Sequence, residues 1–455
     1  MRLIGRVDIK GTKCIKGISM EGQFVVSSAA SVIRQLDKVC DELFLCDTVA
    51  SHFGISSLQD ILATVVNSTS KPIIVGGGIK DILDAESLFS KGADKVAINS
   101  SLFANPSLLA DLISRFGRQS IILSLQVFPK ADRYILLHDY GREIANYSVE
   151  EWLALLNASG LIPGEILVSS VERDGTLRGP DLQLAQLLRG LTDTPLIYSG
   201  GVSGDDDLTS LERISIDAVC IGKLLHNQFR KDYITSSTDI PSFPQNSQLT
   251  LSILELGFGN TFSLTNSLMK LGYQSKLISR ASEIKDSEFL IMPGVGHYGE
   301  MVRLLDDCGL RAALVERIIS GKPSIGICLG MQILFEGSDE STIHKGLGII
   351  DGKCTLIPSP NSTHRLPNIG FRSVQSTGGY FSSILNDSNP YYFIHSYAFQ
   401  NISHRAVFAT SAHNDSPFAA CVSIHNTIGL QFHPEISGEP GLSFLGTAIS
   451  LLTTI

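Results

Sequence analysis

The sequence PIIVGGGI at residues 72–79 recurs in altered form as PLIYSGGV at residues 195–202. The same offset of 123 residues relates two further pairs of segments, residues 42–45 with 165–168 and residues 94–99 with 217–222. Each segment is a short apolar run of the kind that forms a buried strand. One constant offset shared by three strands indicates that a structural unit occurs twice in the first half of the chain.

Short runs rich in β-branched residues alternate with longer segments of helical period throughout this half. Eight such runs occur, at residues 3–9, 42–46, 72–75, 95–98, 121–125, 165–168, 195–198 and 218–221. Eight strands separated by helices are typical of a (β/α)8 barrel, although a doubly wound sheet would give a similar alternation. The duplication decides between them, because two four-stranded halves close one barrel. We therefore predict an α/β protein whose first domain is a barrel with half-barrel duplication.

Glycine-rich segments follow equivalent strands of the two halves. Where such a segment lies at the carboxyl end of a barrel strand, its backbone N–H groups can bind an anion. The first half offers Gly77, Gly78, Asn99 and Ser100, and the second half offers Gly200, Gly201, Gly222 and Lys223. One such loop could equally be a plain tight turn, but two symmetric sets favour two phosphate sites at opposite ends of one substrate.

The second half of the chain contains the segment PSIGICLGMQ at residues 323–332. This pattern predicts a strand, a tight turn and a helix with Cys328 at the apex, an elbow that favours the reactive thiolate. Near the end of the chain, GLQFHPE at residues 429–435 supplies His433 as a base and Glu435 as an acid that can orient it. Taken singly, Cys328 could be an inert buried thiol and His433 a core histidine.

Composition limits the class of protein. The chain has 455 residues, enough for roughly two to four domains, with 43% hydrophobic and 18% charged residues, as in globular proteins. A net charge of −9 argues against nucleic-acid binding. Because no apolar run approaches a membrane span and the N-terminus has no signal-peptide pattern, we expect a cytoplasmic protein without a membrane partner. Eight cysteines without Cys-x-x-Cys spacing fit reduced thiols, and we expect neither a metal nor another cofactor.

A polar segment rich in proline and serine separates the two halves. Residues 230–248 show no hydrophobic period and are predicted to form a linker. The predicted domains are therefore a barrel over residues 1–229 and a second α/β domain with a doubly wound sheet over residues 249–455.

Together and in this order, Cys328, His433 and Glu435 resemble the triad of the class I glutamine amidotransferase family, with its Gly-x-Cys-x-Gly elbow and His-Pro-Glu strand end. The resemblance implies that the cysteine attacks glutamine, the histidine shuttles the proton, the glutamate orients the histidine, and ammonia is released. The segment MPGVGH at residues 292–297 is similar to that family's oxyanion strand, which implies stabilisation by backbone N–H groups near Val295 and at Leu329. The positions that hold glutamine in the family match Gly296, Gln332, Ser396 and Tyr397.

The first half is similar to the half-barrel enzymes of histidine biosynthesis, and specifically to the cyclase family of imidazole glycerol phosphate synthases. The similarity runs through VDIK at residues 7–10, VGGGI at 75–79, ADKVAIN at 93–99 and RDGT at 173–176. It implies that Asp8 is one of two acid/base residues, that Lys16 is the lysine of the substrate loop, and that Asp174 lies near the substrate. It also implies a charged ring at the barrel floor, through which ammonia passes, formed by Arg2, Glu42, Lys95 and Glu165.

The sequence departs from the cyclase family at the end of the fifth strand. The second acid/base residue should stand there, and the residue present is Gln126. An amide cannot donate and accept a proton as a carboxylic acid does, and loss of one such group costs roughly 10²–10⁴ in rate.

Two functions therefore stay open. In the first, a bifunctional synthase passes ammonia from glutamine to a bisphosphorylated ribonucleotide and forms imidazole glycerol phosphate and the aminoimidazole carboxamide ribotide. In the second, the chain supplies ammonia to a separate partner amidotransferase, as in amidino-sugar synthesis for surface polysaccharides, and Gln126 favours this function. A regulatory pseudo-enzyme is disfavoured, because its complete triad would be idle.

Overall fold

The structure, a computed structural model, describes residues 1–50, 58–225, 249–257, 260–359, 365–387 and 389–454. These residues form two compact units, one in each half of the chain. The predicted linker, residues 230–248, and the last residues predicted for the barrel lie outside the described residues.

The first unit consists of strands and helices in regular alternation. Its strands are β1 Arg2–Lys10, β2 Lys13–Ile18, β3 Glu21–Ser28, β4 Glu42–Asp47, β5 Ile73–Gly76, β6 Lys95–Ile98, β7 Ile121–Lys130, β8 Arg133–His138, β9 Glu143–Ser148, β10 Glu165–Ser170, β11 Leu196–Ser199 and β12 Ala218–Ile221. Its fully described helices are α1 Ala29–Leu36, α2 Leu58–Val66, α3 Ile82–Ser90, α4 Ser100–Ala104, α5 Ser107–Phe116, α6 Val149–Ala158, α7 Leu182–Leu191 and α8 Asp205–Arg213, with a 3-10 helix at Arg118–Ser120.

Eight of these strands run parallel and close on themselves. They pair in the order β1, β4, β5, β6, β7, β10, β11 and β12, and β12 returns to β1, with Arg2 opposite Ala218. Two antiparallel hairpins, β2–β3 and β8–β9, are inserted after β1 and β7. Each predicted run overlaps one of the eight parallel strands, so the predicted barrel is confirmed.

The pairing register shows the duplication at the level of single residues. Asp8 on β1 lies opposite Cys46 on β4, and Gln126 on β7 lies opposite Ser169 on β10. Cys46 and Ser169 are separated by the same 123 residues that relate the two halves. Gln126 is therefore the counterpart of Asp8 in the second half.

Alternate side chains of β1 point into the barrel, because successive residues of a strand face opposite sides. Arg2 joins a charged ring, Ile4 joins an apolar layer, and Arg6 and Asp8 join a polar group toward the carboxyl end of the strand. The apolar layer consists of Ile4, Phe44, Ile74, Ala97, Ile122, Leu167, Ile197, Ala218 and Cys220. The apolar layer thus separates the charged ring from the polar group of Arg6 and Asp8.

In the charged ring, each of two cations is paired with each of two carboxylates. Lys95 Nζ lies 2.6 Å from Glu42 Oε2 and 2.8 Å from Glu165 Oε2, and the Arg2 guanidinium contacts both carboxylates as well. Glu42, Lys95 and Glu165 are fully buried. Burial by itself would raise the pKa of Glu42, but Arg2 and Lys95 lower it to about 2. The fold therefore brings together all four residues predicted for the ring.

The second unit is also α/β. Its strands are β13 Thr250–Leu254, β14 Gln274–Ile278, β15 Phe289–Met292, β16 Ser324–Ile327, β17 Phe335–Ser338, β18 Ser341–Lys345, β19 Ile350–Leu356, β20 Asn368–Ser373, β21 Gln375–Ser376, β22 Pro390–His395, β23 Tyr397–Ala398, β24 Val407–His413, β25 Ser416–Ile424 and β26 Thr427–Leu430. Its helices are α9 Thr261–Lys270, α10 Ala281–Asp286, α11 Tyr298–Asp307, α12 Arg311–Ile319, α13 Leu329–Gln332 and α14 Gly438–Thr454, with 3-10 helices at Tyr380–Ile384 and Pro434–Ile436.

The main sheet of the second unit has the strand order β14, β13, β15, β16, β26, β25, β24, β21. The first five strands are parallel, and the last three continue the sheet in antiparallel pairing. The predicted α/β class is confirmed, and the antiparallel extension was not predicted. Nowhere in the described part of the chain is a helix both long and apolar enough to cross a membrane.

Lys95→Met tests how strongly the ring supports the barrel. The change removes the cation shared by Glu42 and Glu165, and a buried carboxylate that loses a partner destabilises a protein by about 3–5 kcal/mol. The chain has one tryptophan, Trp152, which is buried in the first unit. Its fluorescence during urea unfolding of the full chain therefore reports on the barrel.

Lys38→Met, at an exposed lysine of the same unit, is the matched control and should shift the transition little. Equal stability of Lys95→Met and the wild type would mean that the charges of the ring do not hold the barrel together.

Candidate active site

Cys328 lies at a sharp turn between strand β16 and helix α13. Its backbone angles, φ 53° and ψ −104°, are ones that side-chain-bearing residues rarely adopt. A Cβ at Gly330 would lie 1.9 Å from the Met292 carbonyl oxygen, and one at Gly326 would lie 2.3 Å from the Gly330 carbonyl oxygen. Because only glycine fits at both positions, the segment forms an elbow with Cys328, 4% exposed, at its apex.

His433 and Glu435 come to the same edge of the sheet because β26 is the parallel neighbour of β16. The Cys328 N–H donates to the Leu430 carbonyl at 2.6 Å, which aligns the two strand ends. His433 Nδ1 lies 2.8 Å from Glu435 Oε1, and the His433 backbone N–H donates to the Tyr392 carbonyl at 2.9 Å. His433 Nε2 makes no hydrogen bond to a nitrogen or oxygen atom among the described residues, and the imidazole interacts with the Cys328 thiol, so Nε2 is the atom available for proton transfer.

The electrostatics of this group favour a charged imidazole. Burial by itself would lower the pKa of His433, but the Glu435 carboxylate and the Cys328 thiol raise it well above its usual value. The arrangement can therefore hold a charged imidazole beside the Cys328 sulfur, as in cysteine nucleophiles that are paired with a histidine. The structure brings together the three residues predicted for the triad.

Buried polar atoms without partners accompany the triad. Gln332 donates from Nε2 to the Tyr397 carbonyl at 2.9 Å and to Gln431 Oε1 at 3.1 Å. Within the described part of the chain, its Oε1 and the Ser396 Oγ are buried and make no hydrogen bond. Because unpaired buried groups cost free energy, these two atoms are suited to a polar ligand. Of the residues predicted to hold glutamine, Tyr397 contributes a backbone carbonyl that positions Gln332.

Gln431 is a residue that the sequence analysis missed. It is fully buried, and its Nε2 lies 3.5 Å from the Cys328 sulfur. Its position two residues before His433, on the strand end that carries the histidine, is the signal that could have identified it.

The predicted oxyanion strand packs closely against the elbow. A Cβ at Gly294 would lie 2.6 Å from the Leu329 Cβ, and Gly296 has a positive φ of 134°. The Leu329 N–H, predicted to be an oxyanion donor with the backbone near Val295, donates to the Gly294 carbonyl at 3.3 Å. In this conformation the Leu329 amide is therefore already hydrogen-bonded within the protein.

Glu340 is a second residue that the sequence analysis missed. Its Oε2 accepts a hydrogen bond from the Tyr298 N–H at 2.9 Å, just beyond the oxyanion strand. Burial raises the pKa of Glu340 to about 7, so its charge changes near neutral pH. No motif marks this residue, because only the fold brings it to the start of helix α11.

A second polar site lies toward the carboxyl ends of the barrel strands. Asp8 is fully buried, with Oδ1 2.8 Å from Arg6 Nε and Oδ2 3.0 Å from Lys16 Nζ. Lys16 Nζ also contacts the two oxygens of Asp174, at 3.0 and 3.1 Å. Burial by itself would raise the pKa of Asp8, but Arg6 and Lys16 hold it well below its usual value. Asp8, Lys16 and Asp174 are thus brought together as predicted, with Asp8 fixed as a carboxylate.

Arg6 is the third residue that the sequence analysis missed. Its side chain is 3% exposed and donates from Nη1 to Ser169 Oγ at 3.2 Å and to Ser199 Oγ at 3.4 Å. The guanidinium carbon also lies 5.9 Å from the centre of the Phe44 ring. The arginine therefore reaches from β1 to β10 and β11. An arginine at an inward position of a buried strand, two residues before Asp8, is the sequence signal that marks it.

The residues of the first predicted phosphate loop line a cavity of about 270 Å³. Gly77 and Gly78 have positive φ values of 108° and 74°. Ser100 Oγ accepts a hydrogen bond from the Asp139 N–H at 3.0 Å, and Asn99 Nδ2 donates to a backbone carbonyl on β7 at 2.7 Å. Gln126 also lines this cavity, and its Oε1 accepts a hydrogen bond from the Gly141 N–H at 2.6 Å.

The second predicted phosphate loop has a similar backbone. Gly200 and Gly201 have φ values of 119° and 83°. A Cβ at Gly222 would lie 3.6 Å from Lys16 Nζ, so this loop borders the charges around Asp8. Lys223, which follows Gly222, is half-buried.

Glu435→Gln keeps the shape of the side chain and removes the charge that orients His433. We expect kcat for glutamine hydrolysis to fall roughly 10²–10⁴-fold, measured as glutamate release at saturating glutamine. Glu439→Gln, at an exposed residue of helix α14, is the control and should hydrolyse glutamine at the wild-type rate. A wild-type rate for Glu435→Gln would exclude Glu435 from the reaction.

Glu340 predicts a pH dependence. Because its pKa is about 7, its carboxyl is protonated below that pH and charged above it. Because an ionised Glu340 close to the predicted oxyanion strand would oppose the negative charge of the tetrahedral intermediate, we expect kcat/KM for glutamine to fall as the pH rises through about 7, and Glu340→Gln, which stays uncharged, should keep the low-pH value. Glu336→Gln, at an exposed residue of β17, is the control. Identical profiles for Glu340→Gln and the wild type would assign the titration to another group.

Comparison with known proteins agrees with this description. Residues 2–230 match the family model described as "Histidine biosynthesis protein", and residues 252–446 match the model described as "Glutamine amidotransferase class-I". The two matches divide the chain as the two compact units do.

Several curated relatives each match about half of the chain. The imidazole glycerol phosphate synthase subunit HisF of Legionella pneumophila is 39% identical over 204 residues, which are 44% of this chain and 95% of that protein. The subunit of the same name from Dictyoglomus turgidum is 34% identical over 227 residues, 50% of this chain and 89% of that protein. The imidazole glycerol phosphate synthase hisHF of Emericella nidulans is 37% identical over 206 residues, 43% of this chain and 37% of that protein.

These matches confirm the resemblances found in both halves of the sequence. The class I domain makes the chain a glutamine amidotransferase, and the barrel match covers half of the chain. The chain therefore belongs to the histidine biosynthesis protein family and carries a class I glutamine amidotransferase domain C-terminal to its barrel in the sequence.

Proposed function

We propose that this chain is a glutamine-hydrolysing synthase that uses ammonia at its barrel, in the reaction for which its relatives are named. One observation carries the proposal: Cys328, His433 and Glu435 meet at one sheet edge, with Glu435 on His433 Nδ1 and the Cys328 thiol beside the same imidazole. The buried, unpaired atoms of Gln332 and Ser396 supply polar contacts for glutamine.

Glutamine hydrolysis follows from this geometry. The Cys328 sulfur attacks the side-chain amide carbon, and His433 gives the proton on Nε2 to the departing nitrogen, so that ammonia leaves. A water molecule, deprotonated by His433, then hydrolyses the thioester and releases glutamate. Glu435 keeps the imidazole oriented through Nδ1 and stabilises its charged form.

The barrel provides the acceptor site. Its charged ring of Arg2, Glu42, Lys95 and Glu165 acts as the gate for ammonia, and the apolar layer beyond the ring gives the neutral molecule a dry path. The two glycine loops bind the two phosphates of a bisphosphorylated ribonucleotide, and Asp8 serves as an acid/base group. The products are imidazole glycerol phosphate and the aminoimidazole carboxamide ribotide.

A second candidate function is ammonia supply to a separate amidotransferase, such as one that makes amidino sugars for surface polysaccharides. A specific observation favours it. Both oxygens of Asp8 are bound by cations, and the counterpart of Asp8 in the second half is the amide Gln126. Neither group is arranged to take and return a proton during ring closure.

One assay separates the two candidates. The full chain is incubated with glutamine and the bisphosphorylated ribonucleotide, and glutamate and imidazole glycerol phosphate are both measured. The synthase yields the two products in equal amounts, whereas glutamate without imidazole glycerol phosphate identifies an ammonia supplier.

Cys328→Ala is the control for the source of ammonia. The variant should release no glutamate but should still form the cyclised product when ammonium chloride replaces glutamine. Glutamate release that persists in Cys328→Ala would overturn the proposed hydrolysis.

A further inference from the structure

Arg6 occupies the barrel between the apolar layer and the site around Asp8. Its contacts with Ser169 and Ser199 lie on two strands other than its own, and its guanidinium faces the Phe44 ring. Five N–H donors in a planar fork allow an arginine to hold several acceptors at once. The side chain is therefore fixed across the interior of the barrel.

This position determines what Asp8 can do. Arg6 binds one oxygen of Asp8 at 2.8 Å and Lys16 binds the other at 3.0 Å. A carboxylate that accepts charge-assisted hydrogen bonds on both oxygens is stabilised in its ionised form and is a weak proton acceptor. The two cations are not equivalent, because Lys16 is shared with Asp174. Arg6 has no second carboxylate among its hydrogen bonds in the described part of the chain.

In the second half of the barrel, the position equivalent to Asp8 does not supply an acid/base group. Gln126 has the position equivalent to that of Asp8, and its Oε1 is held by the Gly141 N–H at 2.6 Å. Closing the imidazole ring with ammonia expels water and the aminoimidazole carboxamide ribotide, and both departures move protons, so the reaction needs a group that both takes and gives a proton. A carboxylate introduced at Gln126 would still act with a partner, Asp8, that Arg6 holds.

We propose that Arg6 is a positioning residue of the barrel, which binds Asp8 and thereby limits ring closure together with Gln126. This inference rests on the proposed acceptor reaction. The inference attributes slow ring closure both to the Arg6–Asp8 pair and to the absence of a carboxylate at the position of Gln126. Restoring a carboxylate alone is then insufficient, and releasing Asp8 is required as well.

The test uses the full chain, the bisphosphorylated ribonucleotide and ammonium chloride, so that ring closure is measured without glutamine hydrolysis. The variants are Gln126→Asp, Arg6→Met and the double variant. Arg6→Met keeps much of the side-chain volume and removes the guanidinium group with its N–H donors. We expect the double variant to form imidazole glycerol phosphate roughly 10²-fold faster than the wild type, and Gln126→Asp alone to reach about a tenth of that gain or less.

Arg6→Lys combined with Gln126→Asp is the matched control, because it keeps a cation beside Asp8. Its rate should stay close to that of Gln126→Asp. The inference is overturned if Gln126→Asp alone equals the double variant, or if the double variant is no faster than the wild type. Where Arg6→Met lowers the urea midpoint reported by Trp152, Arg6→Gln, whose amide can still bond Ser169 and Ser199, takes its place in both variants.

Glutamine hydrolysis is measured on the same preparations and separates the two proposals. Normal glutamate release without any gain in ring closure overturns only the role of Arg6. Absence of glutamate release in the wild type would contradict the proposed function itself.

Discussion

Closure of the barrel depends on two fully buried carboxylates, those of Glu42 and Glu165. They are equivalent residues of a duplicated unit, and burial of such groups is unfavourable unless cations satisfy them. Arg2 and Lys95 each contact both carboxylates, so the charges are paired only when four different strands meet. Burial of these carboxylates is therefore compensated fully only where the four strands are brought together in the barrel.

The inward-facing side chains of β1 place further buried charges toward the other end of the barrel. Its inward positions run from Arg2 through Ile4 to Arg6 and Asp8, and the apolar layer between the charged levels strengthens electrostatic interactions on either side. At the upper level Asp8 is satisfied entirely by protein groups. The charges at the centre of the barrel are thus arranged for mutual stability in this structure.

The second unit presents the opposite arrangement. Its elbow is enforced by close backbone packing at Gly326 and Gly330, and the neighbouring strand supplies His433. Around it, polar atoms of Gln332 and Ser396 are buried without partners in the described part of the chain. A ligand gains most where such atoms are already desolvated and unpaired. The physical case for glutamine chemistry at Cys328 is accordingly direct, and the barrel reaction depends on whether its paired charges can be released.

The sequence by itself determined the barrel and its duplication, and it predicted the three triad residues that the structure brings together. These follow from local properties: a constant offset between strands, glycines that only a tight elbow requires, and a histidine and glutamate at one strand end. Tertiary structure decided the positions and contacts of Arg6, Gln431 and Glu340 and the antiparallel part of the second sheet. Arg6 and Ser169 are 163 residues apart in the chain, and no local pattern specifies their contact. Whether a buried charge is paired depends on which distant groups the fold places beside it, so tertiary structure decided that Asp8 is bound on both oxygens.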